Sequence, residues 1–420
     1  MNSCLCDELT STTVRIKNNQ KMNIKSGAIE VFPRRRVGAR SNIPLAIISL
    51  SHGTNHLLQL ILPTLLPSLI TEFQISHSTA GMLVASFALP YAILQIPFGY
   101  LSDRKRRKRT MVFGLFLYSF ATFLCGLSQN TLQLALTQFL AGMGGASYHP
   151  VGIPLVSFVV SRKRLGQAQG FHQAGGAIGS FIAPILSAYI GTAFNWRYSF
   201  ILLSLFGLVN ALVVCLGIAE PSPTYREEDE DAKTIPFDSK LTRLIVLLFC
   251  FGLVEVITFR GLLSFLTTYA TEKHAIGLES AAQLLALLQI AGIFGSPLFG
   301  RLSDAIGRKI TLAILMVCQS AIMYSLTYAS LEVLAILLGA MGLAAFGTLA
   351  VSDGWLTGMN LGAIVGTIIG SVTTASFLAG AVVTPIVGFL ADQFGFDFSF
   401  RVLAITGLLG LPILKIIKDT

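Results

Sequence analysis

Apolar stretches, each long enough to cross a lipid bilayer, follow one another from residue 43 to near the end of the chain. A transmembrane helix needs about 20 apolar residues, and a helix is the only single segment that satisfies its own backbone hydrogen bonds in lipid. We predict twelve spans, at residues 43–71, 78–101, 110–128, 131–161, 165–191, 196–219, 241–271, 279–300, 310–330, 331–357, 361–390 and 398–416. The sequence therefore predicts an all-α membrane protein with twelve transmembrane helices.

The composition agrees with lipid as the solvent. Only 12% of the 420 residues are charged, against about 25% in soluble proteins, and 53% are hydrophobic. A soluble globule of this size could not bury so much apolar surface. The net charge of +9 would also suit a nucleic-acid-binding protein, but most of it falls in predicted loops, where it orients the spans. We expect no nucleic-acid partner.

Lysine and arginine predict the orientation of the spans. If the N-terminus is inside, 26 of the 30 basic residues fall in inner segments and 3 in outer segments, and Arg260 lies within a span. Cytoplasmic loops are enriched in lysine and arginine, so both termini are predicted to be cytoplasmic. The basic run at residues 104–109 is then the first inner loop.

Two polar segments divide the chain. Residues 1–42 are basic and lack an apolar core, which predicts a disordered cytoplasmic tail. Residues 220–240 are acidic and contain prolines, which predicts a cytoplasmic linker. The rest of the chain is expected to form two six-helix bundles, residues 43–219 and 241–420.

The loop after the second predicted span and the loop after the eighth carry the same pattern at an offset of 201 residues. They read GYLSDRKRRKRTM at residues 99–111 and GRLSDAIGRKITL at residues 300–312. Both keep a glycine, a Leu-Ser-Asp run, an Arg-Lys pair and a threonine. Two sets of six spans that both begin inside predict a parallel repeat around an axis normal to the membrane.

This loop pattern resembles the signature G-x-L-x-D-R-x-G-R-[RK] of the major facilitator superfamily of secondary transporters. The first copy has Arg106 in place of the family glycine, and the second has Ala305 in place of the arginine. The resemblance implies two six-helix bundles, alternating access and an inner-loop gating motif that latches the halves. The alternative is that these loops only set the topology. The motif residues are Gly99, Asp103, Arg104, Arg107, Gly300, Asp304, Gly307 and Arg308.

Two further regions resemble the fosmidomycin-resistance type of efflux carrier within that superfamily. They are GGASYHPVG with GQAQGFHQAGGAIGSFIAP, in the fourth and fifth spans, and FRGLLSFLTTY in the seventh. The resemblance implies efflux. Gln138 stands where many proton-coupled members have an arginine, so the proton route of those members does not carry over.

The first span carries a polar stripe. His52, Asn55, His56 and Gln59 follow at i, i+3, i+4 and i+7, which places them on one face of a helix that is otherwise rich in Leu and Ile. Lipid does not tolerate such a face, so we expect it to point into the bundle. It forms either a wall of a substrate pocket or a set of interhelical hydrogen bonds. Because no carboxylate or cysteine joins His52 and His56 there, we predict no metal site.

The seventh span carries two charges near its middle, Glu255 and Arg260. Each needs a partner or a water-filled cavity, since a charge at the bilayer centre costs about 2.5–3.5 kcal/mol. Five residues turn a helix by about 500°, so the two side chains point apart. Glu255 is the candidate proton-coupling group. Arg260 is a candidate to bind an anionic substrate or to balance the negative charge of a buried acid. A structural ion pair with another helix is the alternative for both.

The fourth and fifth spans contribute further titratable side chains. His149 precedes Pro150 in the fourth span, and His172 lies beside Gln173 in the fifth. Free histidine titrates near neutral pH, so either imidazole is a candidate for exchanging the coupling proton. The alternative for each histidine is a hydrogen-bonded packing residue. We include His149, His172 and Gln173 among the candidate substrate and coupling residues.

The spans and the resemblance together predict a secondary active transporter of the plasma membrane. Proton-coupled efflux of a small amphiphilic or anionic compound is the first hypothesis. Uptake of an organic anion by symport is the alternative, and a non-transporting receptor is a third. No P-loop, H-E-x-x-H or G-x-S-x-G string occurs, so we expect neither an enzyme nor a cofactor. The expected partners are the substrate, the coupling proton and the lipid bilayer, and we expect a functional monomer.

Overall fold

The computed structural model describes residues 42–105, 107–161, 164–220, 239–358 and 365–417, and no β-strand occurs among them. The helices of this part of the chain are α1 (Ile43–Gln59), α2 (Ile61–Phe73), α3 (His77–Lys105), α4 (Arg107–Gly126), α5 (Thr131–Gly145), α6 (Tyr148–Val159), α7 (Leu165–Ala193), α8 (Trp196–Gly217), α9 (Ser239–Glu255), α10 (Ile257–His274), α11 (Leu278–Ile306), α12 (Arg308–Leu326), α13 (Leu331–Gly358), α14 (Val365–Phe394), α15 (Phe396–Gly407) and α16 (Gly410–Ile416). The all-α prediction is confirmed. The predicted tail and most of the predicted linker lie outside the described residues, as do the side chains of Asp103 and Arg104.

Eleven segments of the described residues are long and apolar enough to cross a membrane. The predicted fourth span, residues 131–161, is not among the eleven; it is divided into α5 and α6, each too short to cross alone. Ala146 and Ser147 separate the two helices, and the Ser147 hydroxyl donates a 2.9 Å hydrogen bond back to the carbonyl of Gly144. Pro150 then lacks the N–H that a continuous helix would use. The count of twelve stays a prediction.

The first and seventh spans are interrupted at comparable places. Leu60 separates α1 from α2, and Val256 separates α9 from α10, both with ψ near 0° (−1° and −2°). Pro63 cannot donate a hydrogen bond to the carbonyl of Gln59, which accounts for the first break. Each break therefore follows directly on a predicted site residue, Gln59 or Glu255.

Three hydrophobic cores show how the first half of the described chain, residues 42–220, meets the second, residues 239–417. One core mixes side chains of both halves, whereas the other two are each confined to one half. The shared core occupies the end of the bundle at which α3 begins, which we name the His77 end. The separate cores occupy the opposite end, near Lys108. The halves are therefore packed together at the His77 end.

Polar contacts reinforce this closure. The carboxylate of Asp392, near the end of α14, accepts 2.8 Å hydrogen bonds from the backbone N–H groups of His77 and Ser78 at the start of α3. It also lies 2.8 Å from Nδ1 of the His77 ring, whose Nε2 lies 2.8 Å from Glu272 on α10. An aspartate of the second half thus caps a helix of the first. We name these four residues the Asp392 latch.

The latch has a counterpart on the other side of the bundle. Thr192, at the end of α7, donates a 2.5 Å hydrogen bond to Glu279 at the start of α11. The predicted repeat makes α7 equivalent to α14 and α11 equivalent to α3. The two contacts are therefore related by exchange of the halves, as a parallel repeat requires.

Removing the latch is expected to open the His77 end. Asp392→Ala deletes a helix cap and its charge-assisted hydrogen bonds, a loss of about 2 kcal/mol, or about 30-fold in the ratio of closed to open molecules. Spin labels at Gln129→Cys and Tyr328→Cys, on loops of the two halves at this end, report the change as a longer distance in a cysteine-free background. Asp397→Ala is the control, because Asp397 bonds Lys273 within the second half. Identical distance distributions for Asp392→Ala and the parent would contradict the role of the latch.

Candidate functional site

A cavity of about 50 Å³ lies between the two halves. The first half lines it with Gln59, Phe87 and Gln138, and the second with Arg260 and Phe377. Such a volume holds a few water molecules. An organic molecule would fit there only after the halves had moved apart.

Four histidines from three helices form one group close to this cavity. His52 and His56 lie one turn apart on α1, His149 lies on α6, and His172 lies on α7. The His52 ring stacks on His172 with centroids 4.2 Å apart, and it lies 4.9 Å from His56 and 5.4 Å from His149. We name these four residues the histidine group. It reaches the cavity through Phe377, whose ring is 6.4 Å from that of His149.

Hydrogen bonds fix the protonation of two of these rings. Nδ1 of His52 lies 3.0 Å from the carbonyl of His172 and must therefore carry a proton, which leaves Nε2 of a neutral His52 with its lone pair. The Tyr148 hydroxyl donates its proton to the carbonyl of Ile48 at 2.7 Å. Nε2 of His172, 2.9 Å from the same hydroxyl, must then be the donor. Nδ1 of His172 is left as a buried acceptor without a hydrogen-bond partner among the described residues.

Glycines allow α1 and α7 to bring these rings together. A Cβ on Gly179 would lie 2.1 Å from the carbonyl oxygen of Gly53, and a Cβ on Gly175 would lie 2.3 Å from that of Ser49. At Gly176 a Cβ would lie 2.6 Å from the His52 ring. The histidine group therefore depends on a close approach of the two helices that only glycine permits.

The other polar candidates of these spans separate into different environments. Asn55 is fully buried and donates a 3.2 Å hydrogen bond to the Tyr91 hydroxyl, so it ties α1 to α3 inside the first half. Gln59 lines the cavity. Gln173 is exposed, and its side chain interacts with His172 from outside the buried group. The predicted stripe is one helical face, but only part of it faces the space between the halves.

Arg260 is the charged side chain of the cavity wall. Its guanidinium lies 4.3 Å from the centre of the Phe377 ring, and Nη2 lies 3.5 Å from the Ser376 hydroxyl. The Tyr91 ring of the first half stacks on the Phe377 ring, with centroids 4.2 Å apart. Among the described residues no carboxylate forms an ion pair with Arg260. The guanidinium is therefore held in place by an aromatic ring and a serine hydroxyl, and has no carboxylate partner among the described residues.

Glu255 lies within the second half and does not line the cavity. Its side chain is 5% exposed, and Oε2 accepts a 3.1 Å hydrogen bond from Ser352 on α13. Oε1 has no hydrogen-bond partner among the described residues. No ion pair joins Glu255 to Arg260, and the two residues lie in different helices because Val256 separates α9 from α10. A buried carboxyl with an unpartnered oxygen is suited to holding a proton, because the neutral form costs less to bury.

The described members of the gating motif make contacts within their own halves. Arg107 lies 4.4 Å from the Phe158 ring on α6, and Arg308 donates a hydrogen bond to the carbonyl of Gly354 on α13. Gly307 separates α11 from α12 with φ +95°, a conformation that favours glycine. Gly99 and Gly300 lie within helices, and Asp304 is exposed. The role of the motif as a latch between the halves stays a prediction.

The aromatic residues of the site were not predicted from the sequence. Tyr91, Tyr148 and Phe377 position Asn55, His172 and Arg260 respectively. An aromatic residue in an apolar span usually packs against its neighbours, so composition gives no signal. The position of Tyr148 directly before His149 was the one sequence feature that could have indicated its role, because this stretch resembles a transporter family.

Comparisons with known proteins agree with this architecture. The family model of the Major Facilitator Superfamily matches residues 48–351 and 256–419. The chain is 26% identical to the fosmidomycin resistance protein of Escherichia coli (strain K12) over 87% of this chain and 91% of that protein. It is 23% identical to the hexuronate transporter of Bacillus subtilis (strain 168) over 90% of this chain and 95% of that protein.

The fold is also that of a solved transporter. A bacterial homologue of the human lysosomal transporter Spinster, in an inward-facing and occupied conformation, superposes with a TM-score of 0.76 at 17% identity. The match covers 88% of this chain and 95% of that one. The chain therefore belongs to the Major Facilitator Superfamily, as a multi-pass transporter of the plasma membrane and not an enzyme.

Proposed function

We propose that this transporter carries a small organic anion, that Arg260 binds the anion between the two halves, and that protons drive the transport. The main observation that supports this proposal is the position of the Arg260 guanidinium. It lies in the cavity wall without a carboxylate partner among the described residues. A charge at membrane depth costs about 2.5–3.5 kcal/mol, and an anionic substrate offsets that cost when it binds. The hexuronate transporter, a relative over most of the chain, is named for an anion of this kind.

The closed His77 end supports transport by alternating access. The predicted topology places the His77 end outside the cell, so the Asp392 latch would close the outer side. Substrate would then exchange with the cytoplasm at the opposite end, where each half has its own core. Opening the latch while closing the Lys108 end would carry the anion across.

Export is the proposed direction, supported by the similarity to the fosmidomycin resistance protein. Uptake by symport is the second candidate, and the similarity to the hexuronate transporter favours it. Flux in inside-out vesicles and in intact cells, with the proton gradient reversed between them, separates the two directions. Export requires substrate to accumulate in inside-out vesicles that are acidified inside.

The substrate class is tested in proteoliposomes. We expect exchange of carboxylates, sulfonates or phosphonates, and no exchange of the matching amides or methyl esters, because only the anions form charge-assisted hydrogen bonds with a guanidinium. Proteoliposomes that contain the protein but have no substrate gradient provide the baseline for the exchange signal. Transport of the neutral analogues together with exclusion of all the anions would overturn the proposal.

Replacing Glu255 tests the coupling. Glu255→Gln keeps the hydrogen bond from Ser352 but cannot take up or release a proton. We expect gradient-driven accumulation to fall at least about 10-fold, which corresponds to about 1.4 kcal/mol. Exchange without a gradient should be retained, because it does not require proton transfer. Glu332→Gln is the control, because Glu332 is exposed at the start of α13 and bonds Ser330. Unchanged accumulation in Glu255→Gln would show that another group carries the proton.

A further inference from the structure

Three side chains of the histidine group present ring nitrogens to one point. The ligand atoms of His52, His56 and His149 all lie within 4.8 Å of one another. A zinc–nitrogen bond of about 2.0–2.1 Å places two ligands of a tetrahedral ion about 3.3 Å apart. The Nε2 atoms of His52 and His56 are already 3.2 Å apart. His149 is partly exposed, so rotation of its side chain can bring the third nitrogen within bonding distance.

The ring of His52 is held as a metal-binding histidine usually is. Its Nδ1–H donates to the carbonyl of His172, which directs the Nε2 lone pair towards His56. Ligating histidines almost always donate their second nitrogen to a carbonyl or carboxylate in this way. Stacking on His172 orients the plane of the ring, and the absence of a Cβ at Gly176 leaves the space that the ring occupies.

Two buried acceptor atoms on α1 and α7 lack hydrogen-bond partners among the described residues. They are Nδ1 of His172 and Oδ1 of Asn55. Both residues are fully buried, so water does not reach them freely.

From this geometry we propose that His52, His56 and His149 bind a divalent transition-metal ion of the zinc class. Three imidazoles without a carboxylate or thiolate suit Zn²⁺, Co²⁺, Ni²⁺ or Cu²⁺ and not Mg²⁺ or Ca²⁺. Three protein ligands leave at least one coordination position for water or for an oxygen atom of an anion. The two histidines of α1 alone predicted no metal site. His149 is a third ligand that only the fold brings close to them.

The test uses Co²⁺ as a spectroscopic probe and Zn²⁺ as a competitor. The full chain is purified in detergent without a polyhistidine tag. Cys4 and Cys6 are replaced by serine, because two thiols this close in sequence also bind ions of the zinc class. We expect one Co²⁺ per protein, with the intense visible bands of a tetrahedral site, and complete displacement by one equivalent of Zn²⁺. His56→Gln and His149→Gln are each expected to weaken binding at least about 100-fold.

Two controls make the outcome decisive. His274→Gln changes a histidine outside the group and should bind Co²⁺ like the parent. The melting temperature of each variant without metal shows whether it is folded. If one of the two ligand variants does not fold, the other one is sufficient for the test. Absence of stoichiometric Co²⁺ binding, or binding unchanged in a folded ligand variant, would overturn the proposal. Because binding is measured in detergent, its failure is distinct from a failure of anion transport.

Discussion

Arg260→Gln is expected to reduce anion exchange by at least about 100-fold while the protein stays folded. In a water-poor site, removing one partner of a charged pair costs about 2–5 kcal/mol, and 100-fold corresponds to about 2.7 kcal/mol. Arg260→Lys keeps the charge but loses the forked donor geometry, so we expect an intermediate loss of about 10-fold. The measurement is counterflow of a transported anion in proteoliposomes, with KM and maximal rate determined for each variant.

Stability distinguishes a substrate ligand from a structural residue. Arg260 has no carboxylate partner among the described residues, so Arg260→Gln should leave the melting temperature of the empty protein unchanged or raise it. Arg401→Gln is the matched control, because its guanidinium lies over Tyr328 at the His77 end, away from the cavity. Full anion exchange by Arg260→Gln, or a large fall in its melting temperature, would remove Arg260 from the binding site.

Gly179→Leu is expected to cost about 3 kcal/mol or more of folding free energy and to abolish transport, since the packed backbone cannot accommodate a larger residue. A Cβ at this position would lie 2.1 Å from the carbonyl oxygen and 2.6 Å from the Cα of Gly53. The added side chain would force α1 away from α7 and separate the stacked rings of His52 and His172. Thermal unfolding followed by size-exclusion chromatography measures the loss.

Gly170→Leu on the same helix is the matched control. No heavy atom lies within 4 Å of a Cβ built on Gly170. Leucine is also the better helix former by roughly 0.5–1 kcal/mol, so this variant should be as stable as the parent or more so. Equal stability of the two leucine variants would show that α1 and α7 do not approach as closely as described.

The spans could be predicted from sequence because apolar length is a local property. The fourth span shows the limit of that reasoning. Its hydropathy is continuous, but Gly144, Ser147 and Pro150 divide it, and a count of apolar residues does not register a two-residue turn. The sequence does contain a pattern that favours a helix break, namely a glycine pair followed by His149-Pro150. The pattern can be recognised as such only once the turn is known.

The site could be predicted only in part, because helical spacing identifies a face and not its neighbours. His52 and Asn55 lie on the same stripe, yet one meets α7 and the other meets α3. Glu255 pairs with a serine 97 positions away. The Asp392 latch joins residues 315 apart, and each looked like an ordinary end of a span. Such partners are set by the packing of the helices, which a single sequence does not encode locally.

The division of α5 from α6 has a mechanical consequence. α6 is a rod of 12 residues that carries His149 near its first turn, and only Ala146 and Ser147 join it to α5. A tilt of about 5° at that joint displaces the far end of a rod about 18 Å long by about 1.5 Å. The far end continues into the short loop before α7. A ligand that moved the imidazole of His149 enough to tilt α6 would therefore also displace Ser161, at the surface of the protein.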